Sequence, residues 1–207
     1  MYQYKNTALL EAVKLVPVLA LKDADKAAPL ARALCAGGVP IAEVTFRTPQ
    51  AAQCIRHMTE QVPEILVGAG TVHTVETARL AVQNGARFIV TAGFNEPVAD
   101  WCLEQDIDVF PGCVTPSDLE RLLLKGLTVA KFFPAEAYGG VKVLKAFAGP
   151  YSDVRFMPTG GITEANLKDY LALPAVLACG GAWIAPDRLI DDGQFEEITH
   201  ICRQALA

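Results

Sequence analysis

Short β-branched segments alternate with amphipathic segments along this chain, and that alternation restricts its fold more than any other feature. Eight such segments are predicted to be strands, and they cover residues 16–21, 41–47, 65–72, 88–93, 108–114, 127–134, 155–161 and 176–184. Helical patterns separate them and begin at capping residues, among them Asp23, Thr48-Pro49, Thr74, Asn95, Thr115-Pro116 and Thr163. Strands that alternate with helices form parallel sheets, so the sequence predicts an α/β fold.

The number of repeated units selects the architecture. Eight βα units in 207 residues predict a (β/α)8 TIM barrel, with one extra helix before the first strand. An open doubly wound sheet is the alternative, because a sequence does not show whether the first and last strands pair. A chain of this length is short for two hydrophobic cores, so residues 1–207 are predicted to form a single domain. In a barrel, catalytic side chains are expected at the carboxyl ends of the strands.

Composition and charge exclude several classes of protein. With 52% hydrophobic and 20% charged residues, the chain can bury a large core and is not expected to be disordered. Its apolar runs are much shorter than the roughly 20 residues that span a bilayer, and residues 1–14 lack a signal-peptide pattern. We therefore expect no membrane partner and a cytoplasmic location. A net charge of −5 without a Lys/Arg cluster argues against nucleic acid as a partner. The six cysteines lack zinc-site spacing and are expected to be reduced, mostly buried thiols.

The second predicted strand carries charges on one face. With a period of two, Glu43, Thr45 and Arg47 share a face, while their apolar neighbours face the surrounding helices. Glu43 and Arg47 are therefore expected to point into the barrel, with Arg47 near its upper end. Burying a charge without a partner costs several kcal/mol, so these residues need a partner or a ligand.

The sixth predicted strand contains a lone lysine, Lys131, among apolar residues. An amine in an apolar setting keeps a neutral, nucleophilic fraction near pH 7, which attack on a ketone requires. Phe133 shares its face and is expected to shield the site from water. The alternative is a purely structural ion pair between Glu43 and Lys131. Because buried ion pairs stabilise less than apolar packing does, we favour catalysis.

Two glycine pairs follow the last two strands, Gly160-Gly161 and Gly180-Gly181. Strands 7 and 8 of many barrels bind phosphate at this place through backbone N–H groups and a helix N-terminus, so we predict a phosphate site. Glycines of tight turns are the alternative. Thr71 adds a hydroxyl at the same rim, or caps the next helix. The three histidines lack paired spacing, so no metal site and no cofactor are expected.

An ordered set of motifs spans nearly the whole chain. The motifs are V-P-V (16–18), E-V-T-F-R-T (43–48), G-A-G-T-V (68–72), P-G (111–112), K-F-F-P-A-E (131–136), G-G-V-K (139–142) and P-T-G-G-I (158–162). In these motifs the sequence resembles the bacterial 2-keto-3-deoxy-6-phosphogluconate and 4-hydroxy-2-oxoglutarate aldolases.

This resemblance implies a class I aldolase, a homotrimer of barrels without a cofactor. It implies that Lys131 forms the Schiff base and that Glu43 is the general acid and base. Arg47 and Thr71 are implied to hold the pyruvate carboxylate, and Thr159 to influence stereoselectivity. The expected reaction is reversible cleavage of 2-keto-3-deoxy-6-phosphogluconate to pyruvate and glyceraldehyde 3-phosphate. The phosphorylated acid, its C4 epimer and 4-hydroxy-2-oxoglutarate, which would give glyoxylate, remain open as preferred substrates.

The sequence departs from the family pattern at two positions. Ala92 and Ala182 stand where members often have proline and serine. Ala182 lacks a hydroxyl that resembles a phosphate ligand, while the backbone N–H groups of Gly160, Gly161 and Gly181 remain. We therefore expect weaker discrimination for phosphate. Two rival functions stay open, a phosphosugar isomerase or epimerase without a covalent intermediate and a non-catalytic sugar-phosphate-binding protein. The combination of lysine and glutamate argues against both.

Overall fold

Helices and parallel strands alternate in the computed structural model, which describes residues 1–206. The strands are β1 (Leu15–Leu19), β2 (Ile41–Thr45), β3 (Leu66–Gly70), β4 (Phe88–Val90), β5 (Asp108–Phe110), β6 (Val129–Phe132), β7 (Arg155–Pro158) and β8 (Cys179–Gly181). The helices are α1 (Thr7–Val13), α2 (Ala27–Ala36), α3 (Ala51–Gln61), α4 (Val75–Gln83), α5 (Glu96–Glu104), α6 (Pro116–Leu124), α7 (Gly140–Phe147), α8 (Glu164–Leu171), α9 (Asp187–Asp191) and α10 (Phe195–Ala205). Two 3₁₀ turns cover Ala24–Lys26 and Glu136–Tyr138.

Six strands form one parallel sheet in the order β5-β4-β3-β2-β1-β8, and β6 pairs with β7 in a second parallel sheet. The prediction of an α/β fold built on a parallel sheet is confirmed. Isolated parallel bridges join the two sheets on both sides, among them Gly112 with Lys131 and Thr159 with Gly180. The carboxyl ends of β6 and β7 therefore lie beside those of β5 and β8.

The strands are shorter than the sequence predicted, and local backbone geometry explains two of the differences. β3 was predicted to continue to residue 72 but ends at Gly70, because Thr71 has a left-handed φ of 57°. β7 was predicted to reach residue 161 but ends at Pro158, because Gly160 and Gly161 have φ values of 94° and 80°. A left-handed residue cannot continue an extended strand. The polar residues that follow these strands therefore lie in turns.

Most of the predicted helix starts are confirmed. Thr74, Asn95, Thr115 and Thr163 are N-cap residues, and Asp23 caps a 3₁₀ turn. The predicted helix start at Thr48-Pro49 is wrong, because α3 begins at Ala51 with Gln50 as its N-cap. The Thr48 hydroxyl donates instead to the Leu21 carbonyl at 2.5 Å, so it ties two loops together.

All six cysteines are free thiols, and five of them are buried. Burial raises the pKa of the Cys54 thiol and of the Cys202 thiol to about 11, so both stay protonated and unreactive near neutral pH. The prediction that most of the thiols are buried is confirmed. In residues 1–206, no helix combines the length and the apolar character needed to cross a membrane.

The segment before α1 is anchored by one buried carboxylate at the amino end of β5. Asp108 is fully buried and accepts hydrogen bonds from the Lys5 N–H at 3.0 Å and the Asn6 N–H at 2.8 Å. The Asn6 side-chain amide and the Tyr2 hydroxyl also donate to it, at 2.8 and 3.2 Å. The charge is thereby satisfied by four donors, as a buried carboxylate requires.

We expect Asp108→Asn to lower the free energy of unfolding by about 2 kcal/mol, because an amide cannot accept from donors on both of its atoms. The matched control is Asp106→Asn, which removes an exposed ion pair with Lys5 and is expected to change stability by less than about 0.5 kcal/mol. Urea denaturation of both variants measures the difference. Equal effects of the two substitutions would contradict this account of the anchor.

Candidate active site

A buried lysine contacts a buried glutamate at the centre of the molecule. Lys131 on β6 and Glu43 on β2 are 88 residues apart in sequence, yet the Lys131 Nζ donates to the Glu43 Oε1 at 2.9 Å. Their side chains are only 8% and 2% exposed. The two residues that the sequence singled out for chemistry thus form one ion pair shielded from bulk water.

Each member of the pair is held by its strand. The Lys131 N–H donates to the Pro111 carbonyl at 2.9 Å, and the Lys131 carbonyl accepts from the Cys113 N–H at 2.8 Å. Glu43 depends on Gly70, since a Cβ atom at position 70 would lie 2.0 Å from the Glu43 Oε1. In the sequence Gly70 is distinguished only as part of the G-A-G-T-V motif. The register of β2 and β3, which pairs Gly70 with Thr45, is what assigns it this role.

A cavity of about 190 Å³ opens beside the ion pair. Six of the predicted site residues line it, namely Glu43, Arg47, Thr71, Lys131, Phe133 and Thr159. Sequence reasoning did not name the other four as site residues, and these are Val18, Thr45, His73 and Ala92. The alternation in β2 could have identified Thr45, because it shares a face with Glu43. His73 lies at the exposed rim of the cavity.

Arg47 lies at the cavity's mouth, two residues beyond the end of β2. Its Nε donates to the Thr45 hydroxyl at 3.1 Å, and that hydroxyl donates in turn to the Leu19 carbonyl at 2.7 Å. This chain of bonds fixes the guanidinium group relative to β1 and β2. A planar guanidinium held in this way can bind a carboxylate through two parallel hydrogen bonds.

Phe133 and Thr159 complete the wall around the lysine. The Lys131 Nζ lies 5.4 Å from the centroid of the Phe133 ring, within the range of a cation–π contact. Thr159 is 7% exposed and follows directly after β7. An apolar ring beside the amine limits the access of water, while the hydroxyl of Thr159 supplies a polar group.

The glycines predicted to bind phosphate lie next to this cavity but do not line it. Gly160 and Gly161 follow Thr159 and precede α8, and the bridge between Thr159 and Gly180 brings the end of β8 alongside. Ala182 is exposed just beyond β8. Among residues 1–206, the N–H groups of Gly160 and Gly161 donate no backbone hydrogen bond. They are therefore available to an anion.

The arrangement suits attack on the ketone of a 2-keto acid. The amine and the carboxylate are in contact, an arginine stands at the mouth, and the walls are partly apolar. In the part of the chain that the structure describes, no three His, Cys, Asp or Glu side chains are grouped so that they could hold a metal ion.

Comparison with known proteins identifies the family. The family model described as KDPG and KHG aldolase matches residues 7–201. The chain belongs to this family. The resemblance read from the sequence motifs is thus confirmed, and with it the predicted enzyme class, an aldolase among the lyases. KDPG and KHG are the two 2-keto acids named above, 2-keto-3-deoxy-6-phosphogluconate and 4-hydroxy-2-oxoglutarate.

Individual KDPG aldolases are similar over almost their full length. The 2-dehydro-3-deoxy-phosphogluconate aldolase of Treponema pallidum is 46% identical over 197 residues, which cover 95% of this chain and 94% of that protein. KDPG aldolase from Legionella pneumophila, solved with pyruvate captured at low pH as a covalent carbinolamine intermediate, is 37% identical with a TM-score of 0.95, and all of both chains is covered. The Zymomonas mobilis enzyme, solved with 3-phosphoglycerate, is 37% identical with a TM-score of 0.91, covering 97% and 94% of the two chains.

Proposed function

We propose that this chain is a metal-independent class I aldolase that reversibly cleaves 2-keto-3-deoxy-6-phosphogluconate to pyruvate and glyceraldehyde 3-phosphate. The observation that carries the proposal is the 2.9 Å contact between the Lys131 Nζ and the Glu43 Oε1 inside a cavity with Arg47 at its mouth. The lysine supplies the nucleophile and the glutamate exchanges protons with it. No cofactor takes part.

The first half of the reaction forms a Schiff base. The neutral Lys131 amine adds to the C2 ketone and gives a carbinolamine. On addition one proton moves from nitrogen to the C2 oxygen, and the proton that Glu43 took from Lys131 when the amine became neutral then protonates the C2 hydroxyl, which leaves as water. The product is an iminium ion on Lys131, and its positive nitrogen can accept an electron pair from the adjacent carbon.

The second half breaks the bond between C3 and C4. Glu43 removes the proton of the C4 hydroxyl, the C4 aldehyde forms, and the electron pair of the broken bond moves to C3 and the iminium. Glyceraldehyde 3-phosphate leaves, and the enamine that remains is protonated at C3. Water then hydrolyses the iminium, which releases pyruvate and restores the Lys131 amine. The carbinolamine in the Legionella pneumophila aldolase supports this sequence of steps.

Other cavity residues orient the substrate in this proposal. Arg47 and Thr71 bind the pyruvate carboxylate, Arg47 through its planar guanidinium. Phe133 shields the iminium from water. Thr159 lies beside the reacting carbons and influences which face of the aldehyde is used. The support for these roles is that all four side chains line the same cavity as Lys131.

The phosphate group is assigned to the turns after β7 and β8. Gly160 and Gly161 supply backbone N–H groups there, next to the start of α8, whose dipole favours an anion, and Gly181 and Ala182 lie beside them at the end of β8. The Zymomonas mobilis relative was solved with 3-phosphoglycerate, a phosphorylated three-carbon acid, which supports a phosphate site in this family. The unphosphorylated 4-hydroxy-2-oxoglutarate, cleaved to pyruvate and glyoxylate, is proposed as a second substrate.

Ala182→Ser is expected to lower the KM for 2-keto-3-deoxy-6-phosphogluconate about tenfold, since a hydroxyl bonded to a charged group contributes roughly 1.5 to 3 kcal/mol. Ala182 is exposed beside Gly181, so the larger side chain fits without repacking. Steady-state kinetics with the phosphorylated acid measure the change, and 4-hydroxy-2-oxoglutarate serves as the control substrate, with no change expected. An unaltered KM for the phosphorylated acid would argue against phosphate at this position.

We also propose that the two sheets close into a complete (β/α)8 barrel, with α1 as the additional helix and residues 1–207 as one domain. The parallel bridges from Gly112 to Lys131 and from Thr159 to Gly180 support closure, because they link β5 to β6 and β7 to β8. Hydrogen exchange tests it, since slow exchange at the β5–β6 and β7–β8 junctions requires paired strands.

A homotrimer and a cytoplasmic location complete the proposal. The trimer is supported by the resemblance to the family, and light scattering on the purified protein tests it. The location is supported by the six free thiols, the state that a reducing compartment maintains. Cell fractionation tests the location.

Incubation with pyruvate and sodium borohydride tests the function as a whole. The hydride reduces the iminium to a stable secondary amine, so the intact mass rises by one reduced pyruvate unit, and peptide mapping should find it on Lys131. A protein that gains no mass would favour the isomerase or epimerase, which proceeds without a covalent intermediate.

A further inference from the structure

A second contact between polar side chains lies beside the glycine turn, outside the cavity. Tyr170 on α8 is fully buried, and its hydroxyl donates a short hydrogen bond to the Glu136 Oε1. Glu136 opens the 3₁₀ turn that follows the strand of Lys131. Burial and the neighbouring carboxylate raise the pKa of Tyr170, so the hydroxyl remains a donor throughout the physiological range.

Glu136 lies against the turn that follows β7. Its N–H donates to the Gly160 carbonyl at 3.1 Å, and the preceding Ala135 N–H donates to the Thr159 carbonyl at 2.8 Å. A Cβ atom at Gly161 would lie 2.6 Å from both the Cβ and the Cγ of Glu136. The side chain of Glu136 therefore packs directly on Gly161.

Helix α8 holds the same turn at a second point. The Asn166 side-chain amide donates to the Gly161 carbonyl at 3.0 Å, one turn before Tyr170 on the helix. The start of α7 also makes room for the contact, because a Cβ atom at Gly140 would lie 2.6 Å from the Tyr170 hydroxyl oxygen and 2.8 Å from the Glu136 Oε1. The 3₁₀ turn of Glu136, the start of α7 and α8 thus meet at the hydrogen bond between Tyr170 and Glu136.

The negative charge of Glu136 makes its hydrogen bond with Tyr170 relevant to substrate binding. Glu136 is an exposed carboxylate packed against a turn whose N–H groups are assigned to phosphate. Two anions at such close range repel each other. A carboxylate bound to the Tyr170 hydroxyl is fixed in place and its charge is partly neutralised by the donor.

We propose that Tyr170 and Glu136 are a positioning pair that sets the affinity for the phosphorylated substrate. Glu136 packs against the Gly160-Gly161 turn and holds it in place, and Tyr170 keeps the Glu136 carboxylate away from the phosphate. The inference rests on the proposed function, because it requires a phosphate at that turn. Neither residue touches the reacting carbons, so the chemical steps at Lys131 are independent of the pair.

Tyr170→Phe should raise the KM for 2-keto-3-deoxy-6-phosphogluconate about tenfold, the effect of losing one hydrogen bond to a charged group. The kcat should stay within about twofold, because neither residue touches the reacting carbons. The exchange of pyruvate methyl protons in D2O should also stay within about twofold, because pyruvate carries no phosphate. The matched control is Tyr151→Phe, which removes a buried tyrosine hydroxyl bonded to Glu120 at 3.2 Å, at the amino end of β7. That variant should keep the KM of the parent protein.

Glu136→Gln separates repulsion from simple loss of packing. Glutamine keeps an oxygen that accepts a hydrogen bond and lacks the negative charge. Added to Tyr170→Phe, it should return the KM for the phosphorylated acid to within about twofold of the parent value, because no free carboxylate remains to repel the phosphate. Failure of this rescue would overturn the proposal.

Two further outcomes distinguish this inference from the proposed function. If Tyr170→Phe leaves the KM unchanged, or slows proton exchange in pyruvate as much as it weakens binding of the phosphorylated acid, the pair is merely structural and the inference fails. If the parent protein neither exchanges pyruvate protons nor forms the borohydride adduct, the proposed function itself fails.

Discussion

Lys131→Ala is expected to abolish the pyruvate adduct trapped by borohydride and to lower kcat/KM for 2-keto-3-deoxy-6-phosphogluconate on the order of 10⁴-fold or more. Without the amine no iminium forms, and the electron pair of the broken carbon–carbon bond has no acceptor. The measurements are intact mass after reduction and a coupled assay for pyruvate release.

Controls for this variant must separate lost chemistry from lost structure. Removing Lys131 leaves the Glu43 carboxylate buried without its partner, which destabilises a protein. Lys131→Met fills the space of the lysine, and urea denaturation reports how much stability each variant keeps. Lys125→Ala, which removes a surface lysine paired with Glu96 and Asp100, should form the adduct as the parent does. A fully active Lys131→Ala protein would end the Schiff-base proposal.

Glu43→Gln is expected to lower kcat by roughly 10² to 10⁴, the contribution of a well-placed general acid and base. The amide is almost the same size, so the cavity keeps its shape and the substrate still binds. Formation of the pyruvate adduct should be slowed, not abolished, because the nucleophile is intact. Proton exchange in pyruvate measures the enamine steps directly.

The control for Glu43→Gln is Glu120→Gln, a change of the same chemistry on α6, remote from the ion pair. It should leave both kcat and proton exchange unaltered. If Glu43→Gln exchanges pyruvate protons at the parent's rate, another group carries the protons, and the role of Glu43 would be to pair with Lys131.

The sequence predicted Lys131 and Glu43 because an ionisable side chain inside an apolar strand is physically costly wherever the strand lies. Strand periodicity then placed Glu43, Thr45 and Arg47 on one face, and all three line the cavity. The contact between Lys131 and Glu43 could not be predicted in the same way. It depends on how strands 88 residues apart are arranged, and no local pattern encodes that distance.

Other features of the fold and the site could not be predicted, because they depend on which neighbouring group each residue contacts. Thr48 has the side chain and the following proline of a helix start, but the Leu21 carbonyl accepts its hydroxyl and α3 begins later. Thr71 was read as a rim hydroxyl, and its left-handed backbone shows why the strand stops before it. The contact of Tyr170 with Glu136 joins α8 to the loop after β6, and neither residue stands out in the sequence.

The Glu43 carboxylate occupies the space beside Gly70 that a side chain would need, and this limits mutagenesis at position 70. Nineteen of the twenty standard amino acids carry a Cβ, and at this position that atom would overlap the Glu43 carboxylate. Substitutions at position 70 should therefore displace the Glu43 carboxylate and lower the activity. Ala92 lines the same cavity with a small side chain and has no such constraint from the carboxylate. Attempts to reshape the pocket for other aldehydes should vary position 92 and leave position 70 unchanged.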